Sequence, residues 1–172
     1  DAFVIDLGGF IKRATKTENG VTQYVEMLND SSGRVLSETT VIPGLPTTTV
    51  QYAYDGRGRM QSITSPFGYQ HIYGYDDRNR VNTVALHHSS EGQFAVADYD
   101  YLGTGSSVRR RSTGDGNQLD VSRDGHGRVT RMQTGAIANF TYGYDAANRV
   151  NVEMRGQDGL GDAYFYDGLG RL

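Results

Sequence analysis

The residues best suited to chemistry are aspartates and arginines that recur four positions apart. A carboxylate beside a guanidinium can bind a ligand or serve in acid–base catalysis. Regular repetition instead favours a structural use, in which turn carboxylates and guanidinium groups form ladders between neighbouring hairpins. The pairs are Asp55/Arg59, Asp76/Arg80, Asp124/Arg128, Asp145/Arg149 and Asp167/Arg171.

Metal-dependent chemistry is not favoured by the acidic and histidine residues. Asp98-Tyr99-Asp100 is similar to the start of a calcium loop, but Leu102 and Arg109 stand where such a loop needs acidic ligands. His87-His88 are adjacent, so in a strand they point to opposite faces and cannot chelate one ion. The chain has no cysteine, which makes a zinc site improbable. We therefore predict no metal and no cofactor.

Charge and motifs argue against nucleic-acid binding and against catalysis. The only basic run is Arg109-Arg110-Arg111, and the net charge of the chain is −3, whereas nucleic-acid binding favours a basic domain with a basic stripe. This run is expected to be a solvated strand or loop. Neither a serine nucleophile elbow nor a phosphate-binding P-loop pattern occurs. No apolar run reaches the roughly 20 residues of a membrane-spanning helix, so we predict neither an enzyme nor a membrane span.

The elements that position these residues belong to an internal repeat. Eight copies follow one another in steps of 21 to 26 residues, which indicates a repeat architecture. Seven copies carry an aspartate at the same place, and Leu102 replaces it in a worn copy. These aspartates are Asp6, Asp30, Asp55, Asp76, Asp124, Asp145 and Asp167.

The third residue after the aspartate is always glycine or asparagine. Both types tolerate left-handed backbone angles at low cost, so the position is predicted to need a positive φ. An aspartate that accepts the backbone N–H two residues on, followed by such a residue, predicts the tip of a β-hairpin. The eight residues are Gly9, Gly33, Gly58, Asn79, Gly105, Gly127, Asn148 and Gly170.

A pair of tyrosines spaced by one residue precedes the turn in the best copies. This period of two predicts a strand, and the segment after the turn is predicted to be the returning strand. In that segment apolar residues stand three apart, as in Met60 and Ile63, which a β-bulge would reconcile. The tyrosines of the four best copies are Tyr52, Tyr54, Tyr73, Tyr75, Tyr142, Tyr144, Tyr164 and Tyr166.

A second turn signal closes each repeat, so every repeat contributes two strands and two turns. The signals are Asn19-Gly20, Pro43-Gly44, Pro66-Phe67-Gly68, Glu91-Gly92, Gly114-Asp115-Gly116-Asn117, Gly135 and Asp158-Gly159. We predict an all-β chain of antiparallel hairpins in a continuous meander that forms a curved or spiralling sheet. All 172 residues are assigned to one array.

Tyrosine is expected to take the place of an aliphatic core. The chain has 12 tyrosines, and each can bury roughly 150–250 Å² while its hydroxyl stays hydrogen-bonded. The tyrosines are predicted to pack on those of the neighbouring hairpin. The alternative is that they are exposed platforms on which sugars stack.

The phrase Tyr164-Phe165-Tyr166-Asp167-Gly168-Leu169-Gly170-Arg171-Leu172 closely resembles the YD repeat of the RHS family. That family includes bacterial toxins, the C component of toxin complexes, wall-associated proteins and teneurin-like receptors. The resemblance implies a β-strip that spirals into a hollow shell. In toxin members the shell encloses a C-terminal effector, and family members are secreted or lie at the cell surface.

The leading hypothesis is therefore a structural segment of such a shell, which encloses or displays a module encoded elsewhere. The chain begins and stops inside a repeat, so it is expected to be a piece of a longer protein whose remaining repeats and effector are its partners. One alternative is an adhesion module that binds carbohydrate or a cell-surface partner. Another is an extracellular fibre that self-assembles through open strand edges.

Overall fold

The computed structural model of the chain describes residues 2–135, 137–156 and 159–172. These residues form strands and turns and contain no helix. Fifteen strands are present: β1 (Ala2–Ile5), β2 (Ile11–Glu18), β3 (Val21–Asn29), β4 (Val35–Val41), β5 (Thr48–Tyr54), β6 (Met60–Thr64), β7 (Gln70–Tyr75), β8 (Val81–His88), β9 (Gly92–Tyr101), β10 (Val108–Thr113), β11 (Gln118–Arg123), β12 (Val129–Thr134), β13 (Ala138–Tyr144), β14 (Val150–Arg155) and β15 (Gly161–Ala163).

The strands form one open antiparallel sheet in which each strand is hydrogen-bonded to its neighbours in sequence. The predicted all-β meander is therefore confirmed. The last strand differs from the prediction in its bounds. It was predicted to contain Tyr164 and Tyr166, but β15 ends before both, at Ala163. Tyr164 continues the pairing by one bond, from its N–H to the carbonyl of Asn151.

The chain divides into two compact units. Unit 1 comprises residues 1–74 and 84–94, and unit 2 comprises residues 75–83 and 95–172.

The hairpins turn in two groups, at the two ends of the strands. We call the turns that begin at the repeat aspartates, or at Leu102, near-edge turns, and those at the opposite strand ends far-edge turns. Far-edge glycines also have a positive φ, as at Gly20 (77°), Gly44 (83°) and Gly92 (83°). Asp158 lies outside the described residues, and Gly159 has a φ of 67°.

A β-bulge follows every near-edge turn for which the strand register is resolved. Tyr54 pairs with Met60 and Ala53 with Ser62, which leaves Gln61 as the extra residue. Met60 and Ile63 therefore lie on one face although they stand three apart. The bulge inferred from sequence is confirmed. The extra residues of the six hairpins are Lys12, Leu36, Gln61, Arg109, Thr130 and Asn151.

Alternation along the strands gives unit 2 two chemically distinct faces. Val121, Met132 and Phe140 lie side by side on one face, which we call the tyrosine face of unit 2 because Tyr142 and Tyr144 share it. The other face, the polar face of unit 2, has Asp120 beside Gln133. In unit 1, Tyr52 and Ile63 share one face, and Ser62 lies on the other.

Neither unit contains a dry core. Among the described residues only Ala97 and Ser62 are buried, each at 6% exposure. All twelve tyrosines are half-buried. The sheet is therefore held by contacts within its own layer, and those contacts are concentrated at the near-edge turns.

Candidate functional site

The aspartate of a near-edge turn is surrounded by hydrogen-bond donors. At Asp145, Oδ1 accepts the N–H groups of Ala147 and Arg149, both at 2.9 Å, and Oδ2 accepts Nε of Arg149 at 2.7 Å. The backbone closes the turn through Asp145 N–H to Arg149 O (2.9 Å) and Asn148 N–H to Asp145 O (3.0 Å). Asp30, Asp55, Asp76, Asp124 and Asp167 make the same side-chain bonds.

The glycine or asparagine of the turn is left-handed in seven of the eight copies. Their φ values lie between 62° and 85°, at Gly9, Gly33, Gly58, Asn79, Gly127, Asn148 and Gly170. The prediction is wrong at Gly105, which is not left-handed. In that copy the turn is longer, since Leu102 N–H bonds to Ser107 O, and Gly103 has the positive φ of 55°.

The aspartate and arginine pair within one turn, so the predicted ladder of ion pairs between hairpins is wrong. Arg59 Nη2 lies 2.7 Å from Asp55 Oδ2, and Arg128 Nη2 lies 2.6 Å from Asp124 Oδ2. The reason is local: the left-handed residue turns the chain so that the side chain four positions on returns over the carboxylate. The guanidinium group thereby gains a fixed direction.

That direction carries the guanidinium onto a tyrosine of the next copy. The carbon atom Cζ of Arg34 lies 4.8 Å from the ring centre of Tyr54, and that of Arg128 lies 4.5 Å from the ring centre of Tyr144. Cζ of Arg80 and of Arg149 lies 4.3 Å from the ring centres of Tyr101 and Tyr166, respectively. A guanidinium over an aromatic face at this distance is an attractive cation–π contact.

The hydroxyl of the same tyrosine donates to the residue after that arginine. Tyr54 donates to the carbonyl of Val35 at 3.0 Å, and Tyr144 donates to that of Val129 at 2.7 Å. Tyr101 and Tyr166 bond in the same way to Val81 and Val150. We call this aspartate, arginine and following tyrosine the Asp–Arg–Tyr linkage. At these four tyrosines a guanidinium lies over the ring, where a tyrosine of the neighbouring hairpin was predicted.

The arginine also reaches the next turn itself. Arg128 Nη1 donates to Asn148 Oδ1 at 2.6 Å. Where the next turn has glycine, the guanidinium occupies the space that a side chain would need. A Cβ atom at Gly58 would lie 3.0 Å from Arg34 Nη1, and a Cβ atom at Gly170 would lie 3.3 Å from Arg149 Nη1. Glycine at these turns thus serves the approach of the arginine as well as the backbone angle.

The first tyrosine of each pair has a different environment. Tyr52 donates its hydroxyl to Glu38 Oε2 at 3.1 Å, and burial together with this carboxylate raises the pKa of Tyr52. Burial and the charge of Glu153 likewise raise the pKa of Tyr142. The hydroxyl of Tyr164 lies 3.5 Å from Glu153 Oε2. Tyr73 and Tyr75, the pair of the fourth copy, lie in β7 and are both half-buried.

The turn contacts keep the aspartates ionised. Backbone donation from the arginine of the same turn, reinforced by its guanidinium, lowers the pKa of Asp55, Asp145 and Asp167. At Asp124 the side-chain bond from Arg128 is the main cause of the lowered pKa. At Asp30 and Asp76 burial raises the pKa, but the bonds from the turn outweigh it and the pKa is lowered.

Two copies show what can replace the linkage. In the first copy Phe10 stands in the arginine position, and its ring packs against Gly33. Asn29 stands in the tyrosine position, and its Nδ2 donates to Ile11 O at 3.0 Å. Asp6 keeps its two bonds to the N–H groups of Gly8 and Phe10.

The Leu102 copy lacks both charged partners. Ser106 and Leu102 stand in the arginine and aspartate positions, and the following tyrosine position holds Arg123. Arg123 donates instead to Gly127 O at 2.9 Å. The Nε atom of Arg123 is buried and has no hydrogen-bond partner among the described residues.

Two of the predicted far-edge turns, at Pro66-Phe67-Gly68 and Gly114-Asp115-Gly116-Asn117, have the same geometry as the near-edge turns. Ser65 N–H bonds to Tyr69 O at 2.8 Å and Gly68 N–H to Ser65 O at 3.1 Å, with Ser65 Oγ in place of a carboxylate. Thr113 begins a similar turn through Gly116. The sequence predicted the turns but not this likeness, although serine or threonine followed three residues later by glycine repeats the near-edge spacing.

The linkage can join repeats, but it presents no reactive group. Its carboxylates and guanidinium groups neutralise each other, and its hydroxyls donate to backbone carbonyls. Across residues 2–135, 137–156 and 159–172, no group of three or more histidine and acidic side chains is placed to hold a metal ion. Those residues also include no helical segment able to traverse a lipid bilayer.

Comparison with known proteins gives a family and a fold. The profile of the teneurin YD-shell family matches residues 9–172. No curated protein sequence matches the chain. The TcdB2-TccC3-Cdc42 crystal structure is similar with a TM-score of 0.72 at 14% identity, over 93% of this chain and 10% of that one. The structure of TcdB2-TccC3 without its hypervariable C-terminal region gives 0.70 at 13% identity, over 92% and 10%.

Proposed function

Because the chain belongs to the teneurin YD-shell family, we propose that it is a wall segment of a larger YD-repeat shell that encloses or displays a module of the same polypeptide. The family match confirms the resemblance to the RHS and YD-repeat proteins, and it supports a structural role for the chain. The chain spans about a tenth of the length of the toxin-complex chains that share its fold. The further repeats and the enclosed or displayed module are therefore proposed parts of the whole protein.

The observation that carries the proposal is the Asp–Arg–Tyr linkage. Four of the six complete turns hold the tyrosine of the copy that follows, so a strip of any length can be built by adding copies. Stability in such an array comes from the repeats and from contacts between nearest neighbours. A strip of this kind is suited to forming a wall, because its strength does not depend on a central core.

We further propose that the chain is not an enzyme. The repeated aspartates and arginines form ion pairs with one another, and the hydroxyls of the four linked tyrosines donate to backbone carbonyls. A catalytic site would need groups set apart from the repeat, with their protonation adjusted to a reaction. The enclosed or displayed module would supply any activity.

The proposed setting is outside the cell, at its surface or in secreted form. The family supports this location, since the resemblance implies that its members are secreted or lie at the cell surface. A test is to locate the protein by cell fractionation and surface labelling with an antibody against residues 2–135. Recovery only from the cytosol of intact cells would contradict this part of the proposal.

Enclosure is tested by limited proteolysis of the polypeptide as encoded. The module outside the repeats is expected to resist protease until the repeats are loosened, because a closed wall excludes the enzyme. A variant with Tyr54→Ala and Tyr144→Ala loosens two linkages and is expected to expose the module. Gln51→Ala and Thr141→Ala, made together at exposed positions, serve as the matched control. Equal digestion rates in all three proteins would contradict enclosure.

The alternative of a sugar-binding module is less well supported. A guanidinium covers one ring face of Tyr54, Tyr144 and Tyr166, which leaves these rings less available for stacking on a sugar. A glycan array separates the alternatives. Specific binding that is lost in Tyr144→Ala, with the fold retained, would favour adhesion over the wall.

A further inference from the structure

A polar groove crosses strands β10, β11 and β12 on the polar face of unit 2. Its volume is about 540 Å³, and its lining includes Arg109, Arg110, Asp120, Arg131 and Gln133. We call it the arginine groove. None of these residues belongs to an Asp–Arg–Tyr linkage, and the proposed wall role does not use them.

A β-bulge supplies the groove with two consecutive arginines. Val108 pairs with Tyr101 and Arg110 with Asp100, so Arg109 is the extra residue. In a regular strand Arg109 and Arg110 would point to opposite faces, but a bulge re-aims a side chain, and both line the groove. Arg111 pairs with Tyr99 and Leu119, which places it on the tyrosine face. The basic run is thus divided between the two faces.

The cations of the groove are unequally neutralised. Arg110 Nε donates to Asp120 Oδ1 at 2.7 Å, and Asp120 also receives Gln118 Nε2 at 2.7 Å. The pKa of Asp120 is lowered by the bond from Arg110 and then by that from Gln118, so this carboxylate is ionised at neutral pH. The contact of Arg109 with Asp100 is long, at 3.4 Å, and both side chains are more than half exposed.

Arg131 has no carboxylate partner among the described residues. Its Nε donates to the amide oxygen of Asn139 at 2.9 Å, and it takes part in no ion pair there. Three arginines and one aspartate give the lining a formal charge of +2 (3 − 1), and Asp100, which contacts Arg109 from outside the lining, reduces the local charge to +1 (3 − 2), in a chain whose net charge is −3. The groove is a local positive site on an acidic chain, which draws anionic groups to it.

We propose that the arginine groove binds a carboxylate side chain of an acidic polypeptide segment. A guanidinium presents its N–H groups as a planar fork that matches a carboxylate, and the bonds are charge-assisted. Arg131 supplies the fork, and Arg109 adds charge from across the groove. Gln133 and Ser122 line the same groove with an amide and a hydroxyl, which can pair with the peptide groups that flank an acidic side chain.

The test measures peptide binding to the whole chain by fluorescence anisotropy. The probe is a short labelled peptide of alternating glycine and glutamate, and its control has glutamine in place of every glutamate. The glutamate peptide is expected to bind and the glutamine peptide is not. Raising the salt from about 50 mM to about 300 mM is expected to weaken the binding, because exposed charges are screened.

Matched variants assign the binding to the groove. Arg131→Gln is expected to raise the Kd about tenfold, and Arg131→Lys, which keeps the charge and removes the fork, is expected to have an intermediate effect. Arg111→Gln removes the same charge from the tyrosine face and is expected to leave the Kd nearly unchanged. Circular dichroism and thermal unfolding check that all three variants are folded.

Three results would overturn the proposal. The first is equal binding of the glutamate and glutamine peptides. The second is an equal loss of affinity in Arg111→Gln and Arg131→Gln, which would indicate a response to net charge alone. The third is binding of a sulfated polysaccharide with no binding of the glutamate peptide, which would give the groove to a different class of ligand.

Discussion

The turn from Asp124 to Arg128 and the turn from Leu102 to Ser107 lie in the same unit but are held in different ways. In the first, a carboxylate fixes the arginine, and the arginine holds Tyr144 of the next copy. In the second, neither charged residue is present, yet β9 and β10 still pair, as do β10 and β11.

The difference separates two tasks that the repeat phrase combines. Backbone pairing is enough to continue the meander through a worn copy. The charged residues add side-chain contacts between copies, which pairing of backbones does not provide. We therefore expect changes at a complete turn to cost more stability than the same kind of change at the Leu102 turn.

The largest effect is expected from acid, because six complete turns titrate together. The pKa of each of their aspartates is lowered in the folded chain. Their contribution to stability is full above the unfolded pKa of about 3.9 and is lost as the pH falls through the lower folded values. Chemical denaturation between about pH 7 and pH 2.5 is expected to show a plateau followed by a steep loss below about pH 4.

If the turn aspartates cause the loss of stability in acid, removing one of their carboxylates should make that loss smaller. Asp145→Asn is expected to lower stability at neutral pH and to give a shallower acid dependence than the unchanged chain. Leu102→Asn, at the worn turn, is expected to leave the acid dependence as it is. A loss of stability that begins near pH 6 would contradict the turn aspartates as its source.

Truncation of the linked tyrosine comes next in size. Tyr144→Ala is expected to cost about 3 kcal/mol, since it removes a half-buried ring, its contact with Arg128 and a hydrogen bond. Tyr144→Phe is expected to cost about 1 kcal/mol, which isolates the bond to Val129. At the worn copy, Arg123→Ala is expected to cost less than 1 kcal/mol. Urea denaturation measures all three, and equal costs for Tyr144→Ala and Arg123→Ala would remove the distinction between the copies.

Glycine substitution sharpens the comparison at the level of the backbone. Gly127 has a φ of 80° and open space around its Cβ position, whereas Gly105 has open space and no positive φ. Gly127→Val is therefore expected to cost about 1–2 kcal/mol through backbone strain alone, and Gly105→Val should cost little. Thermal unfolding of the two variants tests this expectation. Equal melting temperatures for Gly127→Val and Gly105→Val would show that the turn at Gly127 relaxes without strain.

The smallest effect is expected from repairing the worn copy. Ser106→Arg together with Arg123→Tyr restores two members of a linkage and is expected to add about 0.5–1 kcal/mol. Each single change should add less than half of this, because neither partner is useful alone. A double variant that is no more stable than the sum of the singles would show that the longer Leu102 turn misdirects the arginine.

Much of the fold could be predicted because its signals are local. Glycine or asparagine three residues after an aspartate specifies a turn wherever it occurs, and the alternation of tyrosines specifies a strand. The bulge could be inferred from the spacing of Met60 and Ile63. The error at Gly105 has the same origin, since the aligned position was right for the repeat but the turn there is longer.

The partners of the charged residues could not be predicted in the same way. Arginine and tyrosine keep constant distances from the aspartate, so a contact within one copy and a contact between two copies leave the same pattern in the sequence. The arginine groove was missed because its arginines converge only through the bulge at Arg109. Association through open strand edges stays a prediction, which sedimentation of the chain over a range of concentrations would check.

The linkage also has a direction. Arg34, Arg80, Arg128 and Arg149 each contact a tyrosine that comes later in the chain. The hydroxyls of these four tyrosines bond to carbonyls 15 to 20 residues earlier. During synthesis an N-terminal turn is complete before the strand that needs it has been made. Each new hairpin therefore meets a finished surface as it leaves the ribosome, and the wall can be laid down in the order in which it is translated.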